Sequence, residues 1–386
     1  TMTATIDILR DLVCFATVSR DPNRALIDYV ADRLAATDAD VRIIPDEDGG
    51  KANLFATTGP RDRGGVMLSG HTDVVPVDGQ DWTMPPFSCT EADGRLYGRG
   101  TADMKGFVAA ALNAFEVSAS TELATPLHLA LSYDEELGCL GVRSLIDMLA
   151  AAPVRPEMCI VGEPTEMGLA TGHKGKTVVR ADCTGMAAHS SLAPLAVNAV
   201  HLACDLVSAI RSRQQSIIET GTHDEAYNIP YTTLHVGRIE GGVQVNIVPQ
   251  EASLEFEIRN LAGDDPAILI EAITQDIAPV IAAAQKTSPE ADIRLTVVNS
   301  YPGLETALDE RVVALLRDLT GVNATCKVAF GTEGGLFARD LGIPTVVCGP
   351  GSMDQGHKPD EFVTVEQLAI CDQMLGGLKA RLQAGL

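Results

Sequence analysis

The sequence is poor in aromatic residues and in positive charge. Phe, Tyr and Trp make up 4% of its 386 residues, so a packed core must be built mainly from aliphatic side chains. Lys and Arg number 29 against 52 Asp and Glu, which gives a net charge of −23. This balance argues against binding nucleic acid or an anionic membrane through a basic face. It is compatible with a cationic small substrate, although a solvated acidic surface is the simpler interpretation.

The sequence also lacks the marks of an exported or membrane protein. Its nine cysteines contain no CxxC pair and no dense framework, which indicates reduced thiols in a cytoplasmic protein. Residues 1–13 have no basic stretch followed by a long apolar core, so no signal peptide is predicted. We expect no apolar run long enough to span a bilayer. The sequence therefore predicts a soluble intracellular protein.

Length and hydrophobic periodicity predict two domains. A chain of 386 residues exceeds the size of one small domain. Strand and helix patterns alternate up to residue 176, which favours an α/β layer around a mostly parallel sheet. Residues 177–299 follow the order βαββαβ of a ferredoxin-like unit, and the α/β rhythm resumes over 300–386. We predict a discontinuous α/β domain, 1–176 and 300–386, with a second, ferredoxin-like domain inserted at 177–299.

The individual elements follow from the same periodicities, a period near 3.6 for helices and short apolar or alternating runs for strands. Helices are predicted at 3–17, 23–37, 106–117, 141–151, 195–214, 265–284, 307–319, 334–340 and 364–383. Strands are predicted at 41–45, 52–57, 65–70, 126–132, 158–161, 177–183, 232–238, 251–259, 291–298, 326–330 and 344–348.

Residues 69–106 carry the motifs on which the functional prediction depends. An apolar run ends in Ser-Gly-His-Thr-Asp, with His71 and Asp73 two positions apart. Residues i and i+2 of an extended chain point the same way. The Asp73 carboxylate can therefore accept the ring N–H of His71 and orient the other ring nitrogen toward a metal. Asp103, in the glycine-rich run before a helical pattern, offers a second ligand.

Further acids and a histidine follow other predicted strands, namely Glu135, Glu136, Glu163 and His357. Each alone would be an ordinary solvated loop residue. In α/β sheets, however, ligands gather at the carboxyl ends of strands. Together with the first segment, these side chains suit a pair of divalent metal ions. Histidine with carboxylate favours zinc, with cobalt or manganese as alternatives.

Two nucleotide-binding patterns are incomplete. Residues 170–177 fit a relaxed P-loop, but β-branched residues follow where a helix would have to begin. Residues 98–103 carry Asp where a dinucleotide fingerprint needs its third glycine. We therefore predict no nucleotide site. His173 is left undecided, and no role is assigned to His128, His201, His223 or His235.

The motifs in order, HTD, GRGTADMKG, DEE, GEP, an inserted-domain histidine and a late Gly-His pair, resemble those of the dinuclear zinc aminoacylase and carboxypeptidase superfamily. Within it the chain is most similar to the acetylornithine deacetylase branch, with succinyl-diaminopimelate desuccinylases as close relatives. The resemblance covers nearly the whole chain. It implies two metal ions, the first held by His71 and Glu163, the second by Glu136 and His357, with Asp103 bridging both.

The resemblance also implies how the chemistry is divided. Glu135 would be the general base and acid, Asp73 would support His71, and the 103–104 peptide would be cis. His189 would reach the active site of the other subunit in a homodimer and stabilise the oxyanion. The discontinuous domain would be catalytic, and the inserted domain, 177–299, would be its lid and dimerisation domain. Two residues of the inserted domain, Asn246 and Arg259, would bind the substrate carboxylate.

Substrate selection is predicted to involve the loop that holds Thr332 and Glu333. A negative charge at Glu333 would favour a substrate with a cationic side chain and disfavour an anionic one. The alternative interpretation is an acid that only stabilises the start of a helix.

The resemblance implies a zinc-dependent amidohydrolase that removes the acyl group of an N-acyl amino acid. Its first candidate substrate is N-acetylornithine, which would give ornithine and acetate for arginine biosynthesis. The alternatives on the same scaffold are a succinyl-diaminopimelate desuccinylase, another N-acyl-amino-acid hydrolase or a dipeptidase. A non-catalytic metal-binding relative is the alternative from a different class. Glu135 counts against it, because a binding protein has no use for a proton shuttle.

Overall fold

The structure is a computed structural model that describes residues 2–386, and the chain divides into two compact units. The first unit contains the residues up to Gly172 together with Leu304–Lys327 and Thr332–Leu386. The second contains His173–Gly303 and Val328–Gly331. The predicted insertion, 177–299, lies within the main segment of the second unit and begins and ends within a few residues of that segment's ends.

The first part of the chain alternates helices and strands. Its amphipathic first helix buries Ile8, Leu9, Leu12 and Val13 in the core. The helices are α1 Met2–Cys14, α2 Arg24–Leu34, α3 Gly106–Ala119 and α4 Val142–Ala151. The strands are β1 Asp40–Pro45, β2 Ala52–Thr58, β3 Val66–His71, β4 Thr90–Ala92, β5 Arg95–Tyr97, β6 Leu127–Ser132, β7 Met158–Val161 and β8 Leu169–His173.

The middle of the chain contains two long helices, and a side chain caps each of them. Asn198 accepts the N–H of Val200 at 2.9 Å, and Asp265 accepts that of Ala267 at 2.8 Å, as expected of N-cap residues. The elements, in order, are β9 Lys176–Thr184, α5 Ala199–Thr220, β10 Thr233–Gly241, β11 Glu251–Arg259, α6 Pro266–Gln285 and β12 Asp292–Tyr301. A short 3₁₀ turn, Ser190–Leu195, precedes α5.

The last part of the chain returns to the first unit. Its final helix begins after Thr364, whose hydroxyl accepts the N–H of Gln367 at 3.1 Å. The elements are β13 Leu304–Glu305, α7 Arg311–Thr320, β14 Thr325–Val328, α8 Gly334–Leu341, β15 Thr345–Val347, β16 Phe362–Thr364 and α9 Val365–Ala384.

The main sheet of the first unit is mixed, which corrects the expectation of a mostly parallel sheet. Its order is β1-β2-β6-β3-β7-β15-β8-β13, with β14 pairing to β8. The central strands β6, β3, β7 and β15 run parallel. The pairs β1–β2, β2–β6 and β15–β8 are antiparallel. The short connection between β1 and β2 explains the first of these, because a parallel pair needs a crossover of a dozen or more residues.

The core of the first unit is aliphatic, as the scarcity of aromatic residues requires. Helix α3 is buried along nearly its whole length, with Phe107, Val108, Leu112 and Phe115 at most 1% exposed. These side chains pack in one cluster with α1, α9 and the central strands. The four parallel strands are thereby fixed side by side, and their carboxyl ends lie along one edge.

The second unit follows the predicted order βαββαβ. Its sheet is antiparallel throughout, in the order β10-β11-β9-β12. In β9 and β11 alternate residues are buried, which is typical of strands with one face against helices. The buried face packs with residues of α5 and α6.

Helix α6 corrects the expectation that no segment could span a bilayer. By length and composition alone it is long and apolar enough, with a mean hydropathy of 1.6 over its best 18 residues. Its two buried residues, Ile273 and Ile277, belong to the core of the second unit. Asp276 in the same helix forms an ion pair with Arg213 of α5 at 2.6 Å. These contacts are those of a helix that packs on the sheet of a compact unit.

Candidate metal centre

The parallel strands bring the predicted ligands to one edge of the main sheet. His71 is the last residue of β3, Glu135 and Glu136 follow β6, and Glu163 follows β7. His357 lies in the loop after β15. Because these four strands are adjacent and parallel, their carboxyl ends meet at the same edge. Side chains from distant parts of the sequence are therefore gathered in one place.

Asp103 lies between the two histidines. Its Oδ1 is 3.1 Å from Nε2 of His71, and its Oδ2 is 3.1 Å from Nε2 of His357. Asp103 and His71 are buried, at 4% and 1% side-chain exposure, whereas His357 is 47% exposed. One carboxylate thus offers an oxygen to each of two neighbouring positions, as the bridging role requires.

Each position also has a glutamate. Oε1 of Glu163 lies 3.5 Å from Nε2 of His71, and Oε1 of Glu136 lies 3.2 Å from Nε2 of His357. Glu135 is set further back, with Oε2 at 3.9 Å from the His71 ring. The nearest neighbours therefore pair His71 with Glu163 and His357 with Glu136. This is the pairing that the sequence resemblance implied.

Asp73 organises the site through both its main-chain carbonyl and its carboxylate. The ring Nδ1 of His71 lies 2.9 Å from the main-chain carbonyl of Asp73 and 3.5 Å from its carboxylate Oδ1. The carbonyl is therefore the closer partner, which modifies the prediction of a carboxylate contact. The carboxylate instead accepts the N–H groups of Glu135 and Glu136, at 3.1 and 3.2 Å, and the hydroxyl of Ser19 at 2.7 Å. One buried acid thus orients a ligand histidine and the segment with both glutamates.

Two glycines allow the ligands to approach. A Cβ at Gly162, just before Glu163, would lie 1.8 Å from the ring of Phe107 in α3. Gly100 has a left-handed φ of 85°, and a Cβ there would lie 2.6 Å from Val74. Between Gly100 and α3 the chain passes through Asp103, and the peptide that follows Asp103 is cis, as the resemblance implied.

The acids of the site repel one another in a buried setting. Burial, with the charge of Asp103 added, raises the pKa of Glu163 to about 8. Burial also raises the pKa of Glu135 well above its ordinary value, and the charges of Glu163 and Glu136 add to this effect. The pKa of Glu136 is raised by burial and by Asp103. The cluster therefore holds more negative charge than its own surroundings stabilise.

The pKa values of the two histidines are also raised, which favours the positively charged form of each ring. Burial opposes charge on His71, but the nearby carboxylates, Glu163 first among them, raise its pKa well above the ordinary value. Hydrogen bonds to Asp103 and Glu136 raise the pKa of His357 to about 10. Protonated rings compensate the acids, which is the compensation that bound cations would supply.

The donor set fits a pair of divalent metal ions. Within residues 2–386, Oε2 of Glu163 is buried and has no hydrogen-bond partner, so the carboxylate has an unused ligand atom. The separations of 3.1–3.5 Å between donor atoms match the edge of roughly 3.4 Å expected around tetrahedral zinc with bonds of about 2.0–2.1 Å. Two groups of three side chains place ligand atoms within 4.8 Å of one another, His71 with Glu135 and Glu163, and His71 with Asp103 and Glu136.

The predicted substrate loop is buried beside this cluster. Glu333 is 2% exposed, and its Oε1 accepts the hydroxyl of Ser132 at 2.6 Å. Burial raises the pKa of Glu333 to about 7. Thr332 is fully buried, and its hydroxyl accepts the N–H of Gly334 at 3.0 Å at the start of α8. The Thr332 hydroxyl thereby holds the start of α8, and its contact with substrate stays a prediction.

The remaining predicted residues belong to the second unit and are described within it. His189 is exposed, and its Nδ1 accepts the N–H of Ser191 at 3.2 Å. The next residue, Ser190, donates its N–H to the carbonyl of Asn246 at 3.0 Å, so these two predicted residues are neighbours. Arg259 lies on β11, where it donates to Glu257 at 2.6 Å and to the hydroxyl of Tyr301 at 3.4 Å.

Several buried polar residues near the site were not found by sequence reasoning. Ser19 donates to Asp73, and Glu361 accepts the N–H of Asp103 at 3.0 Å. No motif signals either contact, because the partners are far apart in sequence. His173, left undecided above, is buried, and burial lowers its pKa to about 4, which favours the neutral ring. His128 is likewise buried, with a pKa lowered to about 4 by burial.

The fold and the site together define a metal-dependent hydrolase of the metallopeptidase and deacetylase class. The chain belongs to peptidase family M20/M25/M40, whose model matches residues 67–379. Members of the M20 family are dinuclear metal hydrolases. One similar solved structure is described as a dinuclear metal-binding peptidase of this family from Bacillus subtilis. It has a TM-score of 0.70 at 15% identity, over 100% of this chain and 99% of that one.

Named relatives are similar over nearly the whole chain. The chain is 35% identical over 381 residues to an acetylornithine deacetylase of Proteus mirabilis, covering 97% of this chain and 95% of the relative. It is 35% identical over 364 residues to the enzyme of the same name from Pasteurella multocida, covering 94% and 92%. Among solved structures, an M20 metallo-carboxypeptidase from Sulfolobus solfataricus has a TM-score of 0.77 at 19% identity, covering 98% and 99%.

Proposed function

We propose that this chain hydrolyses the amide bond of an N-acyl amino acid and that its substrate is N-acetylornithine, which gives ornithine and acetate. The reaction type is supported by the position of Asp103. Its two carboxylate oxygens each lie 3.1 Å from a different histidine, and Oε2 of Glu135 lies further away, 3.9 Å from the His71 ring. The choice of substrate is supported by the acetylornithine deacetylases to which the chain is similar. A place in arginine biosynthesis and a cytoplasmic location belong to the same proposal.

Two metal ions would be held by residues already described. His71 and Glu163 would hold one ion, and His357 and Glu136 the other, with Asp103 shared. When bound, such ions lower the pKa of water and polarise the scissile carbonyl. Zinc is proposed first, with cobalt or manganese as alternatives, because the ligands are histidine and carboxylate.

Glu135 is proposed to move the proton. The backbone N–H of Glu135 is held by Asp73 at 3.1 Å, and its carboxylate is the one set back from the ring of His71. It takes a proton from the attacking water and delivers it to the departing amine, the task of a general base that then acts as a general acid. No covalent bond between enzyme and substrate is required.

His189 is proposed to stabilise the oxyanion. Because its Nδ1 accepts a backbone N–H, the neutral ring carries its proton on Nε2. That exposed N–H is free to donate to the oxygen on which charge develops, and such donors give large rate effects. Asn246 beside it, and Arg259 on β11, are proposed to bind the substrate carboxylate.

We further propose a homodimer through the second unit, in which His189 serves the site of the other subunit. In the described sheet, β12 is an edge strand, and it exposes Val297 by 50% and Val298 by 60%. Ile268 of α6 is 68% exposed. An edge strand with apolar side chains is a template for pairing with another chain.

Glu333 is proposed to favour the cationic side chain of ornithine. Its carboxylate lies near the acids and His71, whose charges act on its pKa, and so it adds negative potential to that region.

A peptidase or dipeptidase activity is the second candidate. The similar solved structures include a tripeptidase from Staphylococcus aureus, with a TM-score of 0.76 at 21% identity over 100% of this chain and 99% of that one.

The test is a substrate panel on the zinc-loaded and cobalt-loaded protein. The panel contains N-acetylornithine, N-acetylglutamate, N-acetylmethionine, N-succinyl-diaminopimelate and a dipeptide, with Glu135→Gln as the matched inactive control. The expected result is the highest kcat/KM for acetylornithine. Preference for the dipeptide would replace the proposed substrate, and no hydrolysis of any compound by the metal-loaded protein would refute the proposed enzyme activity.

A further inference from the structure

A buried ion pair outside the ligand set lies between Arg99 and Glu361. Nη1 of Arg99 is 2.7 Å from Oε2 of Glu361, and both side chains are 1% exposed. Such a pair is costly to remove from water, and its other hydrogen bonds offset that cost. Within residues 2–386, Nε of Arg99 is buried without a hydrogen-bond partner, whereas both terminal nitrogens of its guanidinium are used. The hydrogen bonds of Arg99 and Glu361 therefore indicate which segments of the chain the pair supports.

The Glu361 carboxylate holds the turn that carries Asp103. Oε1 accepts the N–H groups of Ala102 and Asp103, both at 3.0 Å, and Oε2 accepts the N–H of Gly100 at 3.1 Å. One side chain from a distant part of the sequence thus accepts three backbone N–H groups of an irregular turn. The main-chain position of Asp103 is fixed by Glu361.

Arg99 holds the loop that carries His357. Its Nη1 also donates to the carbonyl of Lys358 at 3.2 Å, and its Nη2 donates to Oε1 of Gln80. Gln80 in turn donates from Nε2 to the carbonyl of His357 at 2.8 Å. The guanidinium is stacked over the ring of Trp82, with its Cζ 4.9 Å from the ring centroid, so it cannot easily turn away.

The backbone of His357 needs such support. Its φ of 62° lies in the left-handed region, which a residue with a Cβ adopts only when its surroundings enforce it. Its side chain is also the most exposed of the ligand set, at 47%. The Arg99 and Gln80 contacts hold the main chain from which the His357 ring reaches Asp103 and Glu136.

We infer that Arg99 and Glu361 form a positioning pair that sets the affinity for the ion held by His357 and Glu136, by fixing the main chain of His357 and of the bridging Asp103 together. This inference rests on the metal centre of the proposed function. The ion held by His71 and Glu163 depends on it less, because His71 is the end of a central strand and is oriented by Asp73. Supporting contacts of this kind are worth about 10- to 100-fold in metal affinity.

The test is titration of metal-free protein with Zn²⁺ by calorimetry, checked by metal analysis after dialysis. In Glu361→Gln and in Arg99→Lys, one of two binding events should weaken by about 10- to 100-fold, while the other stays within a few-fold of wild type. Arg99→Lys keeps the charge but loses the fork that serves Glu361, Lys358 and Gln80 together. Activity should recover in both variants when excess metal is added.

A second variant keeps the test decisive if the buried variants do not fold. Gln80→Ala leaves the ion pair in place and removes only the link to His357, so it should weaken the same event by a smaller factor. Glu91→Gln, which removes an exposed ion pair with Arg10 in the same unit, is the matched control and should leave both events unchanged. Unchanged affinity for both ions in Gln80→Ala and in the folded buried variants would overturn the inference, as would equal loss of both. Failure of the wild type to bind two ions would instead refute the proposed metal centre.

Discussion

The backbone N–H of Glu135 donates to Oδ1 of Asp73 across 3.1 Å. The next N–H, from Glu136, donates to the other oxygen of the same carboxylate at 3.2 Å. The two glutamates therefore leave one fixed segment in different directions. Glu136 reaches His357 at 3.2 Å, whereas Glu135 stands 3.9 Å from His71. Adjacent residues of the same chemistry can thus hold different roles.

The first prediction separates those roles. Glu135→Gln should retain the metal content of the wild type and lose most of its turnover, by about 10²–10⁴-fold, because general acid–base catalysis contributes that much. Metal content is measured by plasma emission after dialysis, and kcat with acetylornithine. Glu136→Gln is the matched comparison and should lose metal first. The opposite pattern, metal lost in the first variant and kept in the second, would show that the two roles are interchanged.

The second prediction concerns the stability of the metal-free protein. Burial and Asp103 raise the pKa of Glu163 from its ordinary value to about 8 in the folded state. Between these values the folded protein binds more protons than the unfolded one, so its stability should fall as pH rises from about 4.5 to 8. The loss should be on the order of a few kcal/mol, seen as a falling Tm in the presence of a chelator.

The amide side chain of Glu163→Gln does not titrate, so the Tm of this variant should fall less as pH rises. Its Tm in chelator should exceed that of the wild type at pH 8, while added zinc should stabilise it less. A decline that is as steep in Glu163→Gln as in the wild type would mean that other groups set the pH dependence.

Much of the candidate site follows from strand order alone. His71, Glu163 and Glu136 could be placed together from the sequence because each follows a short apolar strand, and strand ends of a parallel sheet share an edge. The structure places these residues on adjacent strands. The antiparallel edges of the sheet could not be predicted in the same way, because apolar runs do not record the direction of their neighbours.

The supporting contacts could not be predicted at all. Glu361 meets the N–H of Asp103 from 258 positions away, and no spacing rule relates two residues so distant. The carbonyl of Asp73, rather than its carboxylate, is the closer partner of His71. Strand β3 ends at His71, so Asp73 lies outside the strand to which the i, i+2 geometry applies. Local periodicity determines elements, whereas these contacts depend on how the elements pack.

The third prediction tests whether His189 acts in the other subunit. Glu135→Gln and His189→Ala should each be inactive, the second by about 10²–10³-fold, because one oxyanion donor is lost. Mixed after subunit exchange, they should regain activity, since a hybrid dimer has one site with both groups intact. Random pairing would give roughly a quarter of the wild-type sites. Exchange is verified by mass-tagged chains, and no recovery after proven exchange would place His189 in its own subunit's site.

The last prediction decides what Glu333 does. It is buried against Ser132 at 2.6 Å, and burial raises its pKa to about 7. If its charge selects the ammonium of acetylornithine, the ratio of kcat/KM for acetylornithine over acetylmethionine should rise as pH passes from 6 to 8, because the carboxyl becomes an anion over that range. Glu333→Gln should lower this ratio by about tenfold, equivalent to about 1.4 kcal/mol, and remove its pH dependence. Ser132→Ala is the matched comparison: it keeps the acid but removes the hydrogen bond that lowers the pKa of Glu333, so the same rise of the ratio should occur at a higher pH than in the wild type. Equal losses for both substrates in Glu333→Gln would make Glu333 a structural residue of the α8 start and leave the selection of ornithine to other groups.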